Sequence, residues 1–495
     1  MKTLSYDIAV LGGGGAGLVA AARVRELTGK RVAVLEKAKA TGGGMQFART
    51  MRVFKSKWQA ERGLEDKTAE FMRGVMDLCL WRVDARLAQT AIEGTGQFFD
   101  WFCGLEPGLA EKFSVGGYIF DMPNGQKGPD LEGTAPGTGA GRLIMDVMRR
   151  TCEGLGVDIL TQTAAYDAEL TDGRVSAILA RQGDETVRIA CSSVVIASGS
   201  WISNPALVEK LMPKFASAEI LPTPHTNPAY TGDGLAIAQK LGSPLDEEGC
   251  CIRLMGPMMS GKSQVLNAAV SSPYAIGVNV HGRRFVSEPM VPRMDLFDTG
   301  HILVDQPRAV SYWIIDRAGL EAAVEHARAV PPEAVGPFPP YRYPDTWEQI
   351  DTEIEQGLDG KRTFRADTPE ELARLIGVDE AGLCKTIADY NEFCRTGMDW
   401  DGYKDRENLV AMTGPYYAVR AYLGTDGAFG GIRINEKMQA LDENGAPVPG
   451  VYAAGDITGS RHIVAAGVKR QILNDMSWAF SSGFIAAERL AGELA

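Results

Sequence analysis

The sequence predicts an α/β protein whose parallel sheet takes strands from both ends of the chain, with an α+β domain inserted between them. Three observations favour this fold. Residues 6–36 have the pattern of a strand, a glycine-rich turn, a helix and a second strand. Two further apolar runs, at residues 193–199 and 451–454, are typical of short buried strands. Residues 251–425 differ in their sequence pattern from the segments on either side. Their proline-rich stretch at 330–344 predicts a surface loop.

The first turn of the chain has the pattern of a nucleotide-binding site. Residues 8–11 form an apolar run, and Gly12, Gly14 and Gly17 then fill the G-x-G-x-x-G template. The first glycine makes the tight turn, the second lets the backbone approach a pyrophosphate, and the third lets the helix pack against the strand. The predicted helix at residues 18–27 would hold the phosphates through its free N–H groups.

Glu36 completes this Rossmann-like motif. It ends the second predicted strand, residues 31–35, and follows Gly17 by 19 residues. An acidic side chain at this place can accept hydrogen bonds from ribose hydroxyls. Because strands flank the glycines and the acid is in place, the sequence predicts a dinucleotide site rather than a glycine turn without a ligand.

The second half of the site favours FAD over NAD. Residues 448–456, VPGVYAAGD, predict a strand that ends in Gly455 and Asp456. In two-part flavin sites such a strand end brings a carboxylate to the ribityl chain or the pyrophosphate of FAD. Before the strand at residues 193–199 we expect a strand pair, residues 157–161 and 174–180, joined by the turn Asp172-Gly173.

Length and composition limit the domain organisation and the partners. The chain has 495 residues, more than one ordinary core, so we expect two domains. The FAD-binding domain is expected at residues 1–250 and 426–495, and the capping domain, which would carry the substrate, at residues 251–425. The net charge of −12 argues against nucleic acid or an anionic membrane as the main partner.

The chain is expected to be cytoplasmic and to lack a metal site. No apolar run reaches the roughly 18 residues of a spanning helix, and the N-terminus enters a strand without a leader sequence. The 8 cysteines are scattered without a C-x-x-C motif. We therefore expect reduced thiols rather than a zinc, iron–sulfur or haem centre.

Several motifs together resemble a known family. In chain order they are GGGGAG at residues 12–17, LEK at 35–37, TGGG at 41–44, VVIASGS at 194–200, TGDGLAIA at 231–238, GRRFVSE at 282–288, DTPEELARLIGVD at 367–379, FGGIRIN at 429–435 and PGVYAAGD at 449–456. In this order they resemble the fumarate reductase/succinate dehydrogenase flavoprotein superfamily. The resemblance covers nearly the whole chain and is greatest to the soluble bacterial branch, with its fumarate and urocanate reductases and 3-ketosteroid dehydrogenases.

The resemblance implies an FAD-dependent oxidoreductase that binds FAD without a covalent link, because MQFART, at residues 45–50, lacks the histidine used for attachment in membrane-bound relatives. Ile472 and Leu473 stand where the family has two glycines, which implies altered packing around the flavin. The expected cofactor-binding residues are Gly12, Gly14, Gly15, Ala16, Gly17, Glu36, Lys37, Thr41, Gly43, Gly44, Met45, Ala164, Ser198, Gly199, Asp233, Gly455, Asp456, Ile472 and Leu473.

Two arginines and a tyrosine are the candidate catalytic residues that the resemblance implies. The stretch GVKRQILNDM resembles the family segment whose arginine binds the substrate carboxylate, and Arg470 falls on that arginine. Arg293 lies one residue beyond the place of the family's proton donor, an arginine in fumarate reductases and a tyrosine in steroid dehydrogenases. Tyr422 is a further hydroxyl for proton transfer, with Tyr118 and Tyr274 as alternatives.

Departures from the family argue against fumarate as the substrate. Gly427 and Ala428 occupy the places of the histidine and threonine that bind carboxylate, and residues 254–259 contain no histidine. Residues 268–271 lack the acid and base of the fumarate proton relay. The glycine-rich run at 424–431 is instead similar to that of ketosteroid dehydrogenases, where backbone N–H groups polarise a substrate carbonyl.

The resulting prediction is an ene-reductase that acts on a small molecule at a CH–CH or C=C bond beside a carbonyl or carboxyl. The sequence has no second G-x-G-x-x-G and no C-x-x-C-H haem motif, so we expect an external electron donor, such as a reductase, a reduced flavin or a small carrier. Two alternatives stay open: an FAD-dependent dehydrogenase or oxidase of a C–N or C–O bond, and a flavin-binding protein without catalysis.

Overall fold

The computed structural model describes residues 2–48, 50–78, 81, 83–116, 119–121, 140–216, 218–222, 227–259, 261–289, 296–329, 341–458 and 475–495. The chain divides into two compact units. Unit 1 comprises Met1–Pro213, Pro222–Arg253 and Asp426–Ala495, and unit 2 comprises Lys214–Leu221 and Leu254–Thr425. The predicted boundaries differ locally, because the structure groups residues 214–221 with unit 2 and residues 251–253 with unit 1.

The described elements alternate between strands and helices along most of the chain. The strands are β1 (Lys2–Ser5), β2 (Ile8–Leu11), β3 (Val32–Leu35), β4 (Thr50–Arg52), β5 (Ser114–Gly116), β6 (Ile119–Asp121), β7 (Asp158–Leu160), β8 (Thr163–Thr171), β9 (Arg174–Gln182), β10 (Glu185–Ala190), β11 (Ser193–Ile196), β12 (Ile220–Pro222), β13 (Cys251–Met259), β14 (Ile276–Asn279), β15 (Ser311–Asp316), β16 (Thr363–Ala366), β17 (Tyr416–Phe429), β18 (Gln439–Leu441) and β19 (Pro447–Ala453). The helices are α1 (Gly15–Thr28), α2 (Lys57–Glu61), α3 (Thr68–Leu78), α4 (Ala85–Cys103), α5 (Ala140–Gly154), α6 (Pro205–Leu211), α7 (Pro213–Ala216), α8 (Asp233–Lys240), α9 (Gln264–Val270), α10 (Leu296–Val304), α11 (Arg317–Ala329), α12 (Trp347–Gly357), α13 (Pro369–Ile376), α14 (Glu380–Thr396) and α15 (Asp475–Leu494).

The main sheet of unit 1 joins distant parts of the chain. Its strand order is β18-β19-β11-β2-β3-β7, and every neighbouring pair is parallel except β18 with β19. The strands β2, β3 and β11 are buried along their whole length, as expected of a parallel sheet covered on both faces. This confirms the predicted α/β class, with strands from both ends of the chain in one sheet.

The predicted strand pair before β11 is wrong in one partner. β9 pairs with β8 through the turn at Asp172 and Gly173, whereas β7 lies parallel to β3 in the main sheet. The physical reason is Gln162, whose φ of 52° turns the chain between β7 and β8. The hairpin then continues into a separate sheet of order β1-β10-β9-β8.

The helices α1 and α15 place the glycine turn of unit 1. A Cβ on Gly483 of α15 would lie 2.3 Å from the carbonyl oxygen of Ala16 in α1, so the two helices are in backbone contact. Likewise, a Cβ on Gly17 would lie 1.9 Å from the carbonyl oxygen of Gly12. Only glycine fits at these positions, and the N-terminus of α1 is therefore held at the end of β2.

Unit 2 is built on a sheet of order β12-β17-β15-β14, with β13 and β16 also paired to β17. One face of this sheet packs against α13 and α14 in a core that includes Ile314, Leu372 and Tyr390. The helix α13 begins as the sequence predicts, with Thr368 accepting a hydrogen bond from the Glu371 N–H and Pro369 in the first turn. None of the helices in the described ranges combines the length and the hydropathy that a membrane-spanning helix needs.

Candidate functional site

A cleft lies in unit 1 at the carboxyl ends of β2, β3 and β11, where the crevice of an open α/β sheet is expected to bind its ligand. The space in and above it that protein atoms leave empty is about 870 Å³, open solvent included. The predicted cofactor-binding residues that line it are Gly12, Gly14, Gly15, Ala16, Glu36, Lys37, Gly43, Gly44, Met45, Ser198, Gly199, Asp233, Gly455 and Asp456.

Three other predicted residues do not line the cleft. Gly17 packs its Cα against the backbone of Gly12, which is the packing role of the third glycine. The Cγ2 of Thr41 is 2.7 Å from the place of a Cβ on Gly13, so Thr41 packs against the turn. Ala164 lies between the lining residues Thr163 and Ala165, since alternate residues of β8 face opposite sides.

Ile472 and Leu473 lie outside the described residues. Their predicted place near the flavin remains a prediction.

The N-terminus of α1 faces open space. Among the described residues, no heavy atom lies within 4 Å of the place that a Cβ on Gly14 would take. Gly14 is also the N-cap residue, and no side chain caps the first N–H groups of the helix. These N–H groups and the helix dipole together favour an anionic group such as a diphosphate.

Glu36 is oriented by the backbone at the end of β3. Its Oε2 accepts a hydrogen bond from the Gly13 N–H at 2.8 Å, and its Oε1 accepts one from the Ala38 N–H at 2.7 Å. A carboxylate has about four lone-pair sites, so both oxygens can accept further hydrogen bonds. The carboxylate is thus positioned to accept ribose hydroxyls.

An ion pair forms part of the cleft wall. The Nζ of Lys37 lies 2.6 Å from Oδ2 of Asp233 and 2.5 Å from Oγ1 of Thr231. The Thr231 hydroxyl also hydrogen-bonds Oδ1 of Asp233, at 2.8 Å. The TGDG motif therefore connects the start of α8 to the end of β3.

Ser198 offers a buried hydroxyl to the cleft. Its Oγ has no hydrogen-bond partner among the described residues. A Cβ on Gly234 would lie 2.3 Å from this oxygen, so glycine is required opposite it. An unpaired buried hydroxyl costs about 1–3 kcal/mol, which a polar group of a ligand in the cleft would recover.

The C-terminal half of the site is fixed by α15. The Gly455 N–H donates to Oγ of Ser482 at 2.9 Å, and the Gly455 carbonyl accepts from Nε1 of Trp478 at 3.1 Å. These bonds hold the end of β19, where Asp456 lines the cleft together with Ala479 of α15. The free helix N-terminus, the acid at β3 and the unpaired Ser198 hydroxyl fit a dinucleotide with a diphosphate and a ribose.

Comparisons with known proteins agree with this geometry. Residues 7–467 match the model of the FAD binding domain family. The chain is 25% identical over 467 residues to vinyl phenol reductase of Lactiplantibacillus plantarum, covering 91% of this chain and 90% of that protein. It is 26% identical over 477 residues to urocanate reductase of Eggerthella lenta, covering 93% of this chain and 71% of that protein. The fold is similar to 3-ketosteroid Δ1-dehydrogenase of Sterolibacterium denitrificans, with a TM-score of 0.70 at 18% identity, covering 99% of this chain and all of that one.

The fold, the cleft and these matches define an oxidoreductase that uses FAD. The chain belongs to the FAD binding domain family, and within it to the fumarate reductase/succinate dehydrogenase flavoprotein superfamily. Its reaction is therefore at a carbon–carbon bond.

Tyr422 lies on β17 in unit 2 and does not line the cleft of unit 1. Its hydroxyl oxygen accepts a hydrogen bond from Nη1 of Arg420 at 3.2 Å, and the same guanidinium is 4.7 Å from the centre of the Tyr422 ring. Nη2 of Arg420 donates to Glu219 at 2.8 Å. A second guanidinium, that of Arg362, lies 5.6 Å from the ring centre.

The other catalytic candidates have different outcomes. Arg293, Arg470 and Tyr118 lie outside the described residues, so their roles remain predictions. Tyr274 packs its ring edge-on against His326 at 6.1 Å, and burial raises the pKa of its hydroxyl.

The glycine-rich run contains N–H groups that are already bonded within unit 1. The Ala428 N–H donates to Oγ of Ser200 at 2.7 Å, and the Gly430 N–H donates to the Asp456 carbonyl at 2.8 Å. These two N–H groups therefore hold the run in place, and the expectation that other N–H groups of residues 424–431 polarise a substrate carbonyl stays a prediction.

Sequence reasoning missed Tyr230 in the cleft wall. Its hydroxyl accepts a hydrogen bond from the Gly44 N–H at 2.5 Å. Tyr230 directly precedes the TGDG motif, and this position is the one signal that could have suggested it.

Sequence reasoning also missed a buried charge cluster in unit 2. The guanidinium of Arg284 binds Glu288 at 2.6 Å and Asp399 at 2.8 Å. Nζ of Lys404 donates to the Ala275 carbonyl at 2.5 Å and lies 3.7 Å from Glu288. Burial lowers the pKa of Lys404 to about 8. Burial opposes ionisation of Asp399, but hydrogen bonds from Arg284 and from backbone N–H groups outweigh it and lower the pKa of Asp399 to about 2.

Proposed function

We propose that this flavoprotein is an ene-reductase, which reduces a C=C bond conjugated to an electron-withdrawing group, with electrons from an external donor. The observation that carries this proposal is the match to vinyl phenol reductase over nine-tenths of both chains. The match to urocanate reductase, a second protein named as a reductase, supports the same direction of reaction. The cleft of unit 1 would hold the FAD that this reaction needs.

The chain's own residues have two tasks in this reaction, besides holding FAD. Bound FAD supplies hydride exchange with carbon. Arg470 binds the carbonyl or carboxyl oxygen of the substrate and withdraws electron density, so that the β carbon accepts the hydride. Arg293 or Tyr422 then gives a proton to the α carbon, and the double bond becomes CH–CH.

Tyr422 is the candidate donor with described surroundings. Arg420 donates a hydrogen bond to the Tyr422 oxygen, which leaves the Tyr422 O–H to point at another acceptor. Glu219 fixes Arg420 in this position. Turnover of single variants distinguishes Arg293 from Tyr422. Replacing the residue that donates the proton lowers turnover and leaves FAD bound.

We propose a substrate other than fumarate and a separate electron donor. The carboxylate-binding histidine and threonine of the family are replaced by Gly427 and Ala428, which carry no charge. The sequence contains one G-x-G-x-x-G motif, and the FAD cleft uses it. A reductase, a reduced flavin or a small carrier would therefore deliver the electrons.

An anaerobic assay with reduced viologen tests this function. The substrates are α,β-unsaturated acids, enones and vinyl phenols, and the control is the same protein stripped of FAD. We expect viologen oxidation and a saturated product with at least one of these compounds, in the FAD-loaded protein only. Turnover of amines or hydroxy acids with an oxidised acceptor, and of no alkene, would contradict the proposal, as would bound FAD without any turnover.

A further inference from the structure

Tyr230 crosses the cofactor cleft between two glycine turns. At one side its hydroxyl oxygen accepts the 2.5 Å hydrogen bond from the Gly44 N–H. At the other side its Cε1 lies 3.4 Å from the place that a Cβ on Gly199 would take. The ring therefore spans from the turn after β3 to the turn after β11.

The hydroxyl stands beside the space that a diphosphate would occupy. The place of a Cβ on Gly43 is 3.4 Å from the Tyr230 hydroxyl and 3.7 Å from Cα of Gly14. Gly14 is the glycine that leaves open space at the N-terminus of α1, where the backbone approaches a pyrophosphate. The phenol oxygen and the α1 N-terminus thus border the same volume.

The backbone of Tyr230 is fixed by hydrogen bonds to neighbouring residues. Its N–H donates to the Asn227 carbonyl at 2.8 Å, and its carbonyl accepts from the Ser203 N–H at 2.9 Å. Oγ of Ser203 also donates to the Asn227 carbonyl at 2.9 Å. These bonds fix the backbone from which the ring projects, while the hydrogen bond from the Gly44 N–H orients the ring itself.

We propose that Tyr230 retains FAD: its hydroxyl donates a hydrogen bond to the diphosphate, and its ring closes the cleft between Gly44 and Gly199. A phenol whose oxygen accepts one hydrogen bond can donate its own proton to another group, and a phosphate oxygen is a strong acceptor. Tyr230 thus acts chiefly on the rate at which FAD leaves.

Cofactor exchange tests this proposal without any turnover. Holoprotein is mixed with an excess of isotopically labelled FAD, and the unlabelled FAD that remains bound is followed by mass spectrometry. The variants are Tyr230→Phe, which removes the hydroxyl, and Tyr230→Ala, which removes the ring. Tyr166→Phe is the matched control, because Tyr166 is an exposed tyrosine of β8 outside the cleft.

We expect exchange to be about tenfold faster in Tyr230→Phe, since a hydrogen bond to a charged group is lost. Tyr230→Ala is expected to exchange faster still, and Tyr166→Phe at the wild-type rate. A Tyr230→Phe rate equal to that of the wild type would overturn the proposal, whether or not Tyr230→Ala folds.

Discussion

At the scale of single residues, the cofactor cleft depends on positions where a side chain is missing. A Cβ on Gly14 would meet none of the described atoms within 4 Å, whereas a Cβ on Gly17 would collide with the backbone of Gly12. The same substitution therefore has different effects at the two positions. At Gly17 a methyl group meets the protein, and at Gly14 it meets only the ligand.

The first prediction concerns Gly14→Ala. The φ of Gly14 is −81°, which alanine can adopt, so we expect the apoprotein to fold normally. The new methyl group occupies the approach of the diphosphate, and FAD affinity should fall about tenfold or more. Titration of the apoprotein with FAD measures this, with Gly492→Ala as the control at another open position. Equal FAD affinity in Gly14→Ala and the wild type would contradict the prediction.

A second prediction compares Ser198 with Ser200. Ser198→Ala removes an unpaired buried hydroxyl, so the free energy of unfolding of the apoprotein should rise by about 1 kcal/mol while FAD affinity falls. Ser200→Ala instead leaves the Ala428 N–H without its acceptor and should destabilise the apoprotein by about 1–3 kcal/mol. Denaturant unfolding and FAD titration give both quantities. Destabilisation by both variants would show that Ser198 has a partner within the protein.

At the scale of elements, a buried charge cluster joins two segments of unit 2. Arg284 and Glu288 follow β14, and Asp399 and Lys404 follow α14. Arg284 reaches Asp399 across 115 residues of sequence. Removing one member would leave a buried charge without its partner, which typically costs about 3–5 kcal/mol.

Lys404 gives the cluster a pH dependence. Its pKa is about 8 in the folded protein, below its ordinary value of 10.5. Between these two values the unfolded chain holds the proton more tightly, so the Lys404 contribution to the free energy of unfolding rises with pH. We therefore expect the free energy of unfolding of the wild type, minus that of Lys404→Met, to rise by up to about 3 kcal/mol from pH 8 to 10.5. Urea unfolding of both proteins across this range checks it, and a constant difference would refute it.

The sequence predicted elements well where the signal is local. The apolar run of β2, the two glycines of its turn and the Thr368-Pro369 start of α13 are each set by neighbouring residues. The partner of β9 was predicted wrongly as residues 157–161, because no residue type in the sequence signals the positive φ of Gln162 that separates β7 from β8. The sequence also does not indicate that Thr163 and Ala165 line the cleft, since the side on which a residue of β8 lies depends on the phase of the strand in its sheet.

Long-range contacts explain the remaining failures at the site. Tyr230 meets Gly44 across 186 residues, and its place before the TGDG motif suggests a residue near the cleft without indicating which group it contacts. The role of the Ser200 hydroxyl in holding Ala428 is equally remote, at 228 residues. Only the folded chain could reveal that this hydroxyl accepts from an N–H group of the glycine-rich run.

At the scale of the whole molecule, the two units should respond differently to FAD. Every residue that lines the cleft belongs to unit 1, so binding energy stabilises unit 1 directly. We expect FAD to slow amide hydrogen exchange in residues 12–17, 42–47 and 451–456 more than in α13 and α14. Mass spectrometry of peptides from apoprotein and holoprotein measures this. Equal slowing in both sets would contradict it.

The assembly of the main sheet has a consequence for biosynthesis. Strand β19 pairs with β11, but it is synthesised some 250 residues later, after nearly all of the chain has left the ribosome. Until then β11 is an open edge, which invites pairing with other nascent chains. A message that stops before β19 would thus yield an aggregation-prone product that no supply of riboflavin could rescue.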